Sequence, residues 1–202
     1  AATVNYDAGS RTATLTPSVA FDAGTDYFAT VRGGATGATD LAGNALAVDV
    51  TWSFTTGQPL ACPCSGWSPT DVPAIASASD TGAIELGVKF RSDVDGVITG
   101  IRFYKGSGNT GTHIGSLWSS GGALLASATF VDETASGWQQ VDFATPVPIN
   151  ANTVYVASYH APNGGYAVDQ SYFAASGVDI GPLHFLQDGV SGGNGVYVYT
   201  AS

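Results

Sequence analysis

Apolar residues in this chain recur at every second position in short runs, broken by clusters of Gly, Asn, Asp and Pro. A period of two marks half-buried strands, and no long segment has the three-and-four spacing of an amphipathic helix. The pattern is densest at 84–91, where Ile84, Leu86, Val88 and Phe90 alternate with Glu85, Gly87, Lys89 and Arg91. Asp95-Gly96 then turns the chain. Val97, Thr99, Ile101 and Phe103 next alternate with Ile98, Gly100, Arg102 and Tyr104, which predicts a second strand with apolar surface on both faces. A glycine-rich loop, 105–112, leads to a third strand ending at Trp118. Further strands are predicted at 123–130, 138–143, 153–160, 166–173 and 196–200, while 181–195 reads as loop pinned by Leu183, Phe185 and Leu186. About eight antiparallel strands with long tips suit a jelly-roll-like antiparallel β-sandwich.

Residues 1–57 show a different rhythm, with four candidate strands at 2–6, 12–16, 26–32 and 49–55. An Ig-like sandwich uses about seven strands to cover both inner faces, so four alone leave Val31, Trp52 and Phe54 poorly covered. Two completions follow: the natural protein continues upstream of Ala1, or a strand from another molecule adds to the open edge. Residues 39–44, TDLAGN, predict a turn in which Asp40 and Asn44 cap backbone groups. Residues 58–73 hold four prolines, both cysteines and Trp67, and read as a linker with Trp67 packing the junction. For Cys62-Pro63-Cys64, zinc would require four ligands, and a redox CxxC motif has two intervening residues. A short loop disulfide, free thiols and an intermolecular link stay open for this pair.

Composition narrows the partners. Of 202 residues only 11% are charged and 27 are glycine, and the formal charge is −10. A phosphate backbone would be repelled, so nucleic acid is excluded as a partner. No apolar run reaches the eighteen residues of a membrane-spanning helix, so membrane insertion is not expected either. Low charge density with an excess of aspartate suits an extracellular protein. Methionine is absent, which implies a processed product or an excised fragment.

Two resemblances sharpen this picture. The run VKFRSDVDGVITGIRFYKGSGNTGTHIGSLW, followed by LLASATF, ETASGWQQVDF, VYVASYHAPNGGYA, GPLHFL and GGNGVYVY, resembles a family of bacterial secreted-protein domains, domain-of-unknown-function family 4082. RTATLTP, AGTDYFATVRGG, TDLAGNAL and TWSFTT resemble the C-terminal half of Ig-like domains of bacterial surface-layer proteins. Together they imply an all-β chain: part of an Ig-like domain at 1–57, a linker at 58–73 and a jelly-roll-like domain at 74–202, in an extracellular or cell-surface setting. The resemblance implies no activity.

Candidate chemistry follows from residue types. No GxSxG elbow is present, and His113, His160 and His184 lack a local serine or cysteine partner pattern, so an enzyme is not expected. The only glutamates are Glu85, on a strand, and Glu133, in a turn. Gly106–Gly111 resembles a phosphate loop in composition, but it opens no helix. Asp93 and Asp95 offer two hard oxygen ligands for calcium, although the remaining ligands of an EF-hand are missing. A binding module fits better. Tyr104, Lys105, Asn109, His113 and Trp118 fall at the ends of neighbouring strands, and His160, Asn163, Tyr166 and Asp169 surround a second loop. Rings that stack on sugars and side chains that bond hydroxyls predict a glycan or cell-surface polymer as ligand, provided both loops gather at one end of the sandwich. The competing expectation is a structural brick whose first domain pairs with a neighbouring chain by strand addition.

Overall fold

The computed structural model describes residues 2–57 and 62–200, and within them the chain is all-β. It divides into two compact units, with the boundary between residues 61 and 62. The part of the predicted linker at 58–61 lies outside the described residues.

In the first unit, β1 (Ala2–Asp7) and β2 (Thr12–Pro17) form one antiparallel hairpin, and β3 (Asp26–Val31) pairs with β4 (Val50–Thr55) in another. Register sorts their residues by face. Val4 stands opposite Leu15 and Tyr6 opposite Ala13, while Thr3 and Thr16 share the other side. In the second ladder Ala29 faces Trp52 and Val31 faces Val50, with Thr30 and Thr51 behind. Each hairpin therefore carries one apolar face, and those faces are open: Val4 is 70% exposed and Trp52 50%. Phe21, Tyr27 and Phe54 form the local aromatic cluster, with Tyr27 stacked on Phe54 at 5.9 Å. The 39–44 turn is closed by Asp40, whose Oδ1 accepts from the N–H groups of Ala42 and Asn44 at 2.9 and 2.8 Å.

The second unit contains β5 (Ile84–Ser92), β6 (Gly96–Lys105), β7 (Ile114–Ser119), β8 (Leu124–Thr129), β9 (Gly137–Ile149), β10 (Tyr155–Ala161), β11 (Val178–Ile180), β12 (Leu183–Phe185) and β13 (Val196–Tyr199). Seven of them make one sheet in the order β11-β12-β5-β10-β7-β8, with β13 also paired to β5, and β6-β9 forms a second, two-stranded sheet. The jelly-roll-like sandwich thus has unequal layers. On β5, the edge not taken by β10 is shared by β12 at Phe90–Ser92 and β13 at Ile84–Gly87. Asn194 closes the gap between them. Its side-chain amide accepts from the Lys89 N–H at 2.6 Å and donates to Lys89 O at 3.1 Å and to Leu186 O, substituting for a missing strand partner.

The alternation predicted for β5 and β6 is what builds the core. Phe90 from β5 and Ile101 and Phe103 from β6 meet Leu117, Phe130 and Phe143 between the layers. Each fully buried side chain of this size contributes about 1.5–3 kcal/mol. Gly115 permits the close approach, since a Cβ there would lie 2.8 Å from Ile101 Cβ and 3.1 Å from Phe130.

Several predicted elements differ. Residues 166–173 form no strand: Val168 makes one bridge to Ile75, and Ser171 adopts φ 57°, which ends extended backbone. Residues 181–195 include β12, because Leu183–Phe185 find the free edge of β5. β9 runs past the predicted 143 despite Pro146 and Pro148. Its ladder skips from Asp142 to Val147, so Pro146 falls in the skipped stretch. Trp67 packs on Phe185 at 4.7 Å and Trp138 at 6.3 Å, so residues 62–73 belong to the second unit instead of linking the two.

Candidate ligand-binding site

The two loops singled out in the sequence do meet. Asn163 Nδ2 donates to Thr110 O at 3.2 Å, and Gly165, at φ 64°, packs so tightly that an added Cβ would sit 2.3 Å from Gly108 O. The polar side chains of the first loop, however, point inward. His113 and Asn109 are both 0% exposed. His113 Nδ1 lies 2.8 Å from Glu133 Oε1, Lys105 Nζ donates to Glu133 Oε2 at 2.7 Å, and His113 Nε2 lies 2.7 Å from Asn109 Oδ1. Asn109 Nδ2 completes the chain to Tyr159 Oη at 3.2 Å, and the Tyr159 ring stacks on Phe103 at 4.2 Å. Burial pushes Glu133 upward, but Lys105 and His113 outweigh it and hold the carboxyl below its ordinary range. Burial raises the Tyr159 phenol. Lys105, Asn109 and His113 are thus tied into the interior beneath the loop and leave no open face for a ligand.

Trp118 and His160 lie elsewhere, on the outer face of the seven-stranded sheet. Trp118 Nε1 donates to Ser158 Oγ at 2.7 Å, Ser158 Oγ donates to Glu85 Oε1, and His160 Nδ1 stands 3.7 Å from Glu85 Oε2. Burial raises the Glu85 pKa, against the Ser158 hydrogen bond and the His160 charge. Ser158 is committed to a carboxylate and an indole, so it is not arranged as a nucleophile toward His160. Tyr104 meets Trp138 edge-on at 5.8 Å, and Asp169 Oδ1 accepts from Ala74 N–H at 2.6 Å.

The three histidines occupy three separate places. His184 sits between Asp179 Oδ1 and Asp93 Oδ2, 2.6 Å from each. Burial lowers its pKa, yet the two carboxylates prevail and hold it above the ordinary value. Asp93, proposed with Asp95 for calcium, instead bonds His184 and Arg91, whereas Asp95 Oδ1 accepts from Ala151 N–H at 2.7 Å. The two aspartates face different partners. Among the described residues, no group of three or more His, Cys, Asp or Glu side chains is placed to hold a metal ion. Cys62 and Cys64 stand as free thiols with their sulfurs 2.8 Å apart. Burial and the neighbouring thiol push Cys64 up to about 11.

The open feature of this unit lies where the two-stranded layer stops covering the larger sheet. There a mostly apolar cleft of about 1770 Å³ runs over Leu86 and Val88 of β5, with Tyr166, Tyr197 and Tyr199 among its lining residues. Tyr197 and Tyr199 stand opposite Leu86 and Ile84, so they project from the inner face of the sheet, yet they are 67% and 57% exposed. Asp80 Oδ2 accepts from Tyr199 Oη at 2.6 Å and Tyr166 Oη at 3.3 Å. These bonds hold Asp80 below the ordinary carboxylate range, and Asp80 pushes the Tyr199 phenol up to about 12. Of the predicted ligand residues, Tyr104, Tyr166 and Asp169 are among those that line this cleft. The predicted set omits Tyr197, Tyr199 and Asp80; the signal for the first two is VYVY, whose tyrosines share one face at a spacing of two.

These features define a class: an all-β chain with an Ig-like first unit and a sandwich-and-cleft second unit. A profile for DUF4082, a domain of unknown function, matches residues 70–202, and one for a bacterial Ig-like domain matches residues 1–56. The chain belongs to the DUF4082 family, with a bacterial Ig-like domain preceding it. Among curated proteins and solved structures, no match was found. Bacterial Ig-like domains are frequently extracellular or surface-exposed, and the match at residues 1–56 suggests an extracellular accessory module.

Proposed function

We propose that the DUF4082 unit is a non-catalytic binding module, serving adhesion in a larger secreted surface protein, and that its ligand is a glycan held in the tyrosine-walled cleft. The observation that carries this reading is the pair of Tyr197 and Tyr199 rings, largely exposed on a face that is core elsewhere in the sheet. Aromatic faces supply large apolar contact for the C–H faces of a sugar, while Asp80 and the phenols bond its hydroxyls. The reading moves the ligand from the loops to the cleft. A glycan array followed by calorimetry on the whole chain tests it. Binding should fall at least tenfold in Tyr197→Ala and Tyr199→Ala with the fold unchanged, and should largely survive Tyr199→Phe, which keeps the ring. Silence across a broad array, or binding indifferent to both alanine variants, overturns the reading.

The open apolar faces of the two hairpins favour a second reading, a brick of a surface array or filament. In it, the first unit is completed by a neighbouring chain, as in a surface-layer protein. Sedimentation across a hundredfold concentration range should then show assembly that Val4→Lys and Leu15→Lys abolish; a monomer throughout rejects it.

A further inference from the structure

We infer that Cys62 and Cys64 form a thiol–disulfide exchange site, which reacts with disulfides of low-molecular-weight thiols and closes to an intramolecular disulfide, Cys62 attacking and Cys64 resolving. The site does not depend on the glycan reading of the cleft. The two sulfurs lie 2.8 Å apart across the single residue Pro63. A disulfide bond is about 2.05 Å long, so closing the pair brings the sulfurs together by roughly 0.8 Å.

The surroundings hold one thiol and offer the other. Cys62 is exposed and Cys64 half-buried. Just past Cys64 the chain is fixed to the second unit: Arg102 Nη1 donates to Ser65 Oγ at 2.7 Å and to Trp67 O at 3.2 Å. Gly66, between them, packs on the Phe185 ring so closely that an added Cβ would lie 2.4 Å from it. Anchored on β6 and β12, Cys64 is held against Cys62 before any reactant arrives, which makes ring closure an intramolecular step between aligned groups. Burial, and then the neighbouring sulfur, push the Cys64 thiol up to about 11, so it keeps its proton and leaves the attack to the exposed Cys62.

The chemistry balances without a metal or cofactor. Cys62, as thiolate, forms a bond to one sulfur of the small disulfide RSSR, whose S–S bond breaks and expels RS⁻. That thiolate takes the Cys64 proton. Cys64 then attacks the Cys62 sulfur, the Cys62–Cys64 bond forms, and the second RS⁻ leaves. Two protein thiols are oxidised by two electrons, and RSSR is reduced to two RSH, which carry away the two protons. As a structural staple the pair would do little, since a link across one residue removes little disorder from the unfolded chain. Exposed disulfides belong instead to the labile, exchanging class.

The test uses the whole chain, reduced with dithiothreitol, desalted without oxygen and incubated with glutathione disulfide in the presence of EDTA. Mass spectrometry should show a monomer lighter by about 2 Da, with both cysteines lost to alkylation, and millimolar reduced glutathione should reopen the pair. Cys64→Ser should accumulate a glutathione mixed disulfide on Cys62, whereas Cys62→Ser should react at least tenfold more slowly. Matching tryptophan fluorescence spectra establish that the variants are folded. Alkylation of both cysteines after oxidation, or a disulfide-linked dimer as the main product, overturns the inference. So does a closed pair that resists millimolar reduced glutathione, which is the mark of a staple, or Cys62→Ser reacting as fast as Cys64→Ser.

Discussion

Replacing Glu133 with Ala removes the carboxylate that accepts from Lys105 Nζ at 2.7 Å and lies 2.8 Å from His113 Nδ1. The side chains of Lys105 and Glu133 are 15% and 10% exposed, and His113 is sealed from solvent. Deleting one partner of a buried pair costs about 3–5 kcal/mol, since the other is left buried and uncompensated. Lys105, nearer the surface, can rehydrate; His113 cannot. That places the cost at the lower end, about 3 kcal/mol. A shift of about 2–4 °C per kcal/mol for domains of this size gives a melting temperature lower by roughly 6–12 °C. Urea unfolding followed by the fluorescence of Trp67, Trp118 and Trp138, in a Trp52→Phe background that silences the first unit, reads the second unit alone. A loss below about 1 kcal/mol, the worth of an exposed ion pair, would show that the network is solvated and refute the reasoning.

The pair can be separated from its surroundings by a cycle through Lys105→Met and Glu133→Gln. Coupling of about 0.5–3 kcal/mol is expected for contacting groups, and additivity would contradict the contact. The sign with pH is fixed as well. The folded-state pKa of Glu133 is depressed, so its contribution is complete above the ordinary value of 4.5 and is lost as pH falls through the folded value. Glu133→Gln should flatten that acid limb.

Two further outcomes follow from packing and charge. Gly115→Ala drives a Cβ to 2.8 Å from Ile101 Cβ and 3.1 Å from Val141, so urea unfolding should show a loss of about 1–3 kcal/mol; an unchanged midpoint would mean that the layers are not in contact there. The raised pKa of His184 makes its contribution complete below 6.5 and lost as pH rises through the folded value, so its imidazole NMR signal should titrate above 6.5, and Asp179→Asn should lower that midpoint. A midpoint at or below 6.5 would exclude the two-carboxylate clamp.

Strand content is legible in this sequence where the period of two is uninterrupted. The alternation at 84–91 and 97–104 is realised in β5 and β6 because each strand sets one row of side chains against the opposite layer. The misses have local causes. Residues 166–173 carry aromatic and β-branched residues, yet their backbone is spent on Ile75 and a positive-φ turn at Ser171. β12 is three residues long and becomes a strand only because β13 leaves that edge of β5 free, a long-range fact that no local window contains. The candidate site is legible only in part, for a related reason. Loops 105–112 and 161–166 do converge, but direction is decided by the side chains: Glu133, twenty residues beyond His113, draws the imidazole inward.

A single asymmetry links the fold to the proposed function. Where β6 and β9 cover the large sheet, its inner face is Phe90 and Leu117, packed against Ile101 and Phe103. Beyond that cover the same face continues through Leu86 to Tyr197 and Tyr199, whose side chains are largely exposed. Leaving apolar area in water forfeits about 25 cal/mol per Å² relative to covering it, so an uncovered inner face is destabilising unless its residues tolerate water. Tyrosine does, since its hydroxyl bonds outward while the ring remains available. Asp80, by accepting from two of the phenols, sets those rings in place before any ligand arrives, which reduces the entropy lost on binding. A sandwich with equal layers would bury this row, and the unequal one presents it.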